Sequence, residues 1–452
     1  MTIAAHPTSM SAAPGRPERL TPDDDLFVRM EHAMGLPVVN QAVWRLPTHL
    51  DPARFAELGA ALARGRLSRL VVRSAFPLRD RWVHTPDAGR HAFDDEQIDA
   101  ADGAAWALAQ ANLGIDSVTG PSWRMSAITT RDTDETFVSW VSSHVIGDGG
   151  AVITGIGEAL DGIGYDAADA DTGVLDTVRE GADALRTSAV AAYRLARHRA
   201  QPAPLPRPTT PAPAVSAEDW GGVSPTVIVT IPDAAFDVVA KRVGGTANTL
   251  FTAIVIGILE DSGAVADGDE IPVNLPVSTR IPGDRRANAS TGVTARIRVS
   301  PALRTDLSPL RTASKTAFAS ATGAPSSLAL LGRLAQPLGD SIVRRLAADS
   351  RAPLCLASNL GTLDAGFAGL GTGLPGSVAM RSMTVGASLD VMRRMAGGIS
   401  GWSSRSAGHI TLCITALDPD RVANTATLTS LVAEELSRWD LDGSFWGAQP
   451  EE

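Results

Sequence analysis

The segment from Gln201 to Val215 reads QPAPLPRPTTPAPAV and carries six prolines. Proline fixes φ and lacks a backbone N–H, so this stretch can join neither a helix interior nor a central strand. It reads as a semi-rigid, extended spacer. The spacer divides the 452-residue chain into two parts, each large enough for a domain on the usual scale of ~150 residues. The expected organisation is a flexible lead-in over 1–20, a first domain over 21–200, the crossover over 201–215 and a second domain over 216–452. With 44% apolar residues, each part can bury a core, which excludes disorder for the chain as a whole.

Both parts mix strand and helix signals. In the first, Asp51-Pro52 and Gly65 bracket a helix, because Asp caps, Pro suits the first turn and Gly closes. Strands are expected at Val38–Leu46, Leu70–Ala75, Arg124–Thr129 and Phe137–Ser142, and a helix at Ala151–Leu160. In the second part, strands are expected at Val227–Ile231, Ile271–Val277, Thr294–Val299, Leu354–Ser358, Val378–Val385 and His409–Ala416. Helices are expected at Thr246–Leu259 and Leu307–Ala319, over a longer region to about Asp349, and from Asp418 to Trp439. Such mixing in both halves indicates α/β or α+β domains.

Several functions are disfavoured. The net charge of −10 argues against a nucleic-acid partner, which would call for a basic face. Cys355 and Cys413 form no metal or disulfide framework, so no metal is expected. No GxGxxG or P-loop spacing supports nucleotide-dependent chemistry. The first 20 residues lack the charged start and apolar run of a signal peptide, and the longest apolar run, Leu250–Leu259, is far short of a spanning helix. A cytoplasmic protein is expected. Arg194, Arg197, His198 and Arg199 read first as a solvated helix end with cations favouring the dipole; the functional alternative is contact with CoA phosphates or, peripherally, with an anionic membrane surface.

The sharpest local feature is His144-Val-Ile-Gly-Asp148-Gly149. Composition alone gives HxxxDG roughly 0.06 times in such a chain, against about 0.6 for bare HxxxD, of which His91–Asp95 is an instance. An apolar strand delivers His144 to its end, and glycines follow where the backbone must turn. An imidazole near its ordinary pKa of ~6.5 can take a proton from an alcohol or amine at neutral pH. The plain alternative is a structural turn with a hydrogen-bonded histidine.

This motif, at a strand end in a two-part chain, resembles the CoA-dependent acyltransferase superfamily that includes chloramphenicol acetyltransferase and the condensation domains. Within it the chain is most similar to the bacterial wax ester synthase/diacylglycerol acyltransferase family. The segment Thr21–Glu31 (TPDDDLFVRME) resembles that family's opening, and Pro121–Met125 (PSWRM) its PLW segment, with Ser122 in place of Leu. Thr246–Leu250 (TANTL) resembles its ND helix start, with Thr249 where Asp is usual. Ile271–Arg280 is similar to its PVSxR strand and Ala357–Gly361 to its SN motif. One departure is central: Ser143 stands where the family commonly has the first of two histidines.

The resemblance implies two chloramphenicol-acetyltransferase-like α/β domains with an active-site channel at their interface. It implies His144 as general base within the HxxxDG that includes Asp148 and Gly149, and Asp148 paired with Arg280 to hold the catalytic loop. Ser358 and Asn359 would serve the oxyanion or the substrate, with Ser143 and Trp123 also beside substrate; for Trp123 a plain core role is the alternative. Acyl-CoA would be the co-substrate, with no bound cofactor, and a small or lipid alcohol the acceptor. Two rival readings stand beside this: a free-standing condensation enzyme that forms an ester or amide from a phosphopantetheine thioester on an acyl carrier protein, and a non-catalytic binding protein on the same scaffold.

Overall fold

A computed structural model describes residues 18–75, 78–165, 174–197, 222–321, 336, 339–346 and 351–447. The proline-rich spacer, His198 and Arg199 lie outside the described residues, as do the side chains of Arg194 and Arg197 and most of the helical region expected before Asp349. Of the lead-in expected over 1–20, residues 1–17 lie outside too. Glu18–Leu20 do not behave as a loose lead-in: Arg19 bridges to Arg81, and Leu20 is fully buried.

The strands in chain order are β1 Val38–Leu46, β2 Arg69–Val72, β3 Arg81–His84, β4 Gly89–Ile98, β5 Trp123–Thr130, β6 Thr136–Ser143, β7 Thr226–Pro232, β8 Glu270–Ser278, β9 Ser290–Arg298, β10 Cys355–Thr362, β11 Ser377–Thr384, β12 Ile399–Ser406, β13 His409–Ala416 and β14 Ser444–Phe445. The helices used below are α1 Pro22–Val28, α2 Pro52–Ala63, α3 Ala100–Ala109 and α4 Gly149–Leu160; later helices are given by range.

A five-stranded sheet runs β11-β1-β6-β5-β4 and a seven-stranded sheet β14-β7-β13-β12-β10-β8-β9. Both are mixed: β4 lies parallel to β5, and β10 parallel to β8 and β12, among otherwise antiparallel neighbours. The first sheet therefore borrows a strand. β11, from the second half of the sequence, pairs antiparallel with β1 from Val38↔Thr384 to Arg45↔Ser377, so the two sheets are laced together. Each has its own core. Trp44, Trp123, Trp140 and Phe55 anchor one, and the largely apolar helix Ala247–Asp261 fills the other.

Local chemistry explains the element ends that matter. Asp51 caps α2, accepting from the Ala53 N–H, with Pro52 in the first turn. Thr21 closes a capping box with Asp24 ahead of α1, which continues as a π-helical turn over Arg29–Ala33. The C-terminal helix is Thr425–Arg438, shorter than the Asp418–Trp439 expected, because Asn424 caps it. Both cysteines are buried in β10 and β13, where desolvation pushes their thiols up to about 12. Among the described residues no single helix is long and apolar enough to cross a membrane.

Candidate active site

β6 is buried along its whole length and sits in the middle of its sheet, so its end is a fixed point. There the chain makes one 3₁₀ turn, His144–Ile146, and Gly147 leads in extended backbone to Asp148, the N-cap of α4. Ser143 starts this turn, its Oγ accepting from the Val145 N–H at 3.2 Å. His144 is thus held on a single short turn between a central strand and a helix N-terminus. Val145 and Ile146 are sealed in the core, while His144 itself stays partly exposed.

The His144 ring is held on two sides. Phe27 of α1 stacks on it, with centroids 3.8 Å apart and planes 19° from parallel. Nδ1 lies 3.1 Å from Oδ1 of Asn288, in the loop that joins β8 to β9. The orientation of that amide is not free: Asn288 Nδ2 donates to the His144 carbonyl at 3.1 Å and the Val145 carbonyl at 3.3 Å, groups that can only accept, and also to Asp24 at 2.9 Å. Asn288 Oδ1 is therefore the acceptor, Nδ1 carries the proton, and the Nε2 lone pair is left available. Burial holds the His144 pKa below the ordinary imidazole value, against the opposing pull of Asp148, its own backbone and Asn288. The ring is neutral at neutral pH, which a base requires.

Asp148 turns away from the imidazole. Its Oδ1 accepts from the Ala151 N–H and from Arg280 Nη2, both at 2.8 Å, and its Oδ2 accepts from the Ala289 N–H at 2.7 Å. The ion pair is nearly buried, with 8% of the Asp148 and 11% of the Arg280 side chain exposed. Arg280 also donates to the Arg286 and Ala287 carbonyls. One carboxylate thus ties the His144 turn, α4 and the β8–β9 loop together, and that loop presents Asn288 to His144. Gly149 opens α4; a Cβ there would lie 3.2 Å from Leu360 of β10, so a strand of the second sheet closes directly onto the motif.

The remaining expected residues fall in different places. Ser358 is half-buried on β10, opposite Trp402 of β12. Asn359 is exposed; its Nδ2 donates to Asn248 Oδ1 at 3.1 Å and its Oδ1 accepts from the Gly361 N–H. Their neighbour Leu360 lies against Gly149, and neither Ser358 nor Asn359 makes a hydrogen bond to His144. Two expectations are corrected. Ser143, expected beside substrate, is buried, and its hydroxyl donates to Glu31 at 2.8 Å. It pins the end of β6 to the Thr21–Glu31 segment. Trp123, also expected beside substrate, is fully buried, stacked on Trp140 at 4.8 Å and donating to Ser68 Oγ. It is core, because Gly89 on the neighbouring strand leaves the space its ring fills.

Sequence reasoning missed Asn288, Phe27 and Asp24 as parts of the site. Phe27 and Asp24 lie inside the TPDDDLFVRME segment, so position marked them without assigning a role. Asn288 lies eight residues beyond Arg280, in a loop whose fold only the β8–β9 pairing reveals. The second HxxxD, His91–Asp95, runs along the edge strand β4 with His91 and Asp95 exposed, and builds no turn.

The sequence matches no protein-family profile and no curated protein sequence. Solved structures do match. The starter condensation domain of rhizomide synthetase RzmA, as a double mutant in a product-released conformation, aligns with a TM-score of 0.53 at 14% identity, over 94% of each chain. The condensation domain of the Monacolin K polyketide synthase MokA gives 0.53 at 14% identity, over 94% of this chain and 96% of that one. The epimerization domain from the third module of tyrocidine synthetase B gives 0.51 at 12% identity, over 96% and 98%. This chain has the condensation-domain fold. At such identities the likeness establishes architecture: two mixed α/β units, as the sequence implied.

Proposed function

We propose that this chain is a condensation-type acyltransferase that joins the acyl group of a phosphopantetheine thioester on a carrier protein to an acceptor amine or hydroxyl, forming an amide or an ester. The observation that carries the reading is His144: neutral, partly exposed, its Nδ1–H committed to Asn288 and its Nε2 left basic. In the proposed reaction Nε2 takes the proton of the acceptor as its nitrogen or oxygen attacks the thioester carbonyl. The C–S bond then breaks, and the imidazolium returns the proton to the leaving thiolate. The polar end of β10, Ser358 and Asn359, is the proposed source of donors to the developing oxyanion, which is worth a few kcal/mol where such donors are preorganised. Asp148 and Arg280 hold the turn and take no part in proton transfer.

The fold favours this over the wax ester synthase reading, which rests on motif resemblance alone. The donor is the finer question. A related rhizomide synthetase starter condensation domain is known in complex with C8-CoA and Leu-SNAC (TM-score 0.52, 14% identity), so free CoA belongs in the test. Purified chain is incubated with an acylated carrier protein, acyl-pantetheine or acyl-CoA, each with a panel of amines and alcohols, and free thiol and product mass are followed. The proposal expects thiol release that requires an acceptor, with one acyl group in the product and the carrier-bound donor preferred. Acceptor-dependent release confined to acyl-CoA and long-chain alcohols returns the wax ester reading; no release with any pair overturns acyl transfer altogether.

A further inference from the structure

A cavity of about 950 Å³ opens between α3, the start of β7, the N-terminus of helix Thr425–Arg438 and Trp446. None of Phe27, His144 or Asn288 lines it. Ala104, Leu108, Ile228 and Phe445 give its walls apolar surface, hydroxyls of Ser and Thr residues supply groups that both donate and accept, and Arg381 and Trp446 supply groups that only donate. Arg381, 3% exposed, contributes a guanidinium with no carboxylate partner among the described residues. Three of its N–H groups go to neutral acceptors, Gln41 Oε1, Thr226 Oγ1 and the Leu108 carbonyl, which leaves two of the five such groups of an arginine. Trp446, 6% exposed, carries an indole N–H that is buried without a hydrogen-bond partner. The helix Thr425–Arg438 brings its positive end to the same wall, with Asn424 capping Thr427. The acidic residue on the lining, Asp102, lies exposed at the rim.

A buried cation without its counter-ion is costly, and an unpaired buried N–H adds to that cost. An anion with an apolar body would relieve both and fill the walls. We propose that this cavity is a binding site for an organic monoanion of that kind, with Arg381 and Trp446 as its polar contacts. Burial lowers the Arg381 pKa only to about 10, so the guanidinium stays charged at neutral pH.

The test is titration calorimetry on the full chain with octanoate as the probe, and with octanol and inorganic phosphate as single-feature controls. Octanoate should bind at one saturable site, at least tenfold more tightly than either control. W446F, which removes the N–H and keeps an aromatic ring, should weaken it about tenfold, the worth of one hydrogen bond to a charged group. Ala105, on the exposed side of α3, borders the cavity mouth, so A105W should abolish binding with the thermal midpoint unchanged. Octanol binding as tightly as octanoate, or octanoate binding equally to wild type and A105W, would overturn the assignment. The second result would place the probe elsewhere, including the acyl path at His144. Acyl transfer is not read in this assay, so the site and the proposed reaction stand or fall separately.

Discussion

Replacing Asp148 by asparagine keeps the shape of the side chain and removes its charge, and the structure sets the consequence. The carboxylate receives three donors: the Ala151 N–H, the Ala289 N–H and Arg280 Nη2. An asparagine offers one acceptor oxygen and an NH₂, so at least one donor loses its acceptor, and the guanidinium of Arg280 is left as an uncompensated charge in a nearly buried setting. Removing one partner of a buried ion pair costs about 3–5 kcal/mol. The cap itself adds little to this, since Asn and Asp cap helices almost equally well. Urea unfolding followed by tryptophan fluorescence reads the loss: at a slope of about 2–3 kcal/mol/M, the midpoint should fall by roughly 1–2 M. Arg280→Met on top of Asp148→Asn removes the orphaned charge and should recover at least half of that fall. A single variant with the wild-type midpoint that has nonetheless lost thiol release would refute the structural role of Asp148, and a double variant no better than the single would refute the pairing.

Asn288→Leu should lower kcat for thiol release about 100-fold with KM little changed, since the ring loses the acceptor that commits Nδ1; equal kcat in a folded variant would remove Asn288 from the site. The pH profile of kcat/KM should rise through a midpoint below ~6.5 and be flat at neutral pH. The sign follows from the base having to be neutral and burial lowering its pKa; an acid limb centred above 7 would contradict it. The same depression makes the unfolded chain the better proton acceptor, so the contribution of His144 to stability is lost as pH falls below ~6.5. Trp123→Ala should cost about 3–5 kcal/mol in unfolding and leave kcat of the folded fraction unaltered, which separates its core role from a substrate contact.

Much of this architecture is legible along the chain, and the exceptions have physical reasons. β1, β6 and β13 carry the apolar residues that a central strand needs, β5 alternates apolar with polar residues, and their positions follow from these patterns. β4 (GRHAFDDEQI) is an exposed edge strand whose polar sequence carries no buried face to read. β12 (ISGWSSRS) is buried despite its serines because Ser404 and Ser406 spend their hydroxyls on the Val378 and Gly376 carbonyls. The lacing of β11 into the first sheet is a tertiary choice: its own letters specify a strand without specifying which sheet takes it. At the site, the turn from Ser143 to Gly149 could be read because strand, glycines and cap are contiguous. The Asp24–Asn288–His144 chain could not, since it joins three segments far apart in the sequence through a few hydrogen bonds. Trp123, marked only by a motif resemblance, serves packing, the alternative role its place at a strand start allowed.

The account turns on His144 Nε2 as the proton acceptor, and a single-turnover comparison of wild type with His144→Ala, at saturating donor and acceptor, measures that directly. Acyl transfer to the acceptor should slow by at least about 100-fold in the variant while the donor still binds, the low end for loss of a general base. Transfer at the wild-type rate in a folded His144→Ala chain would contradict the mechanism.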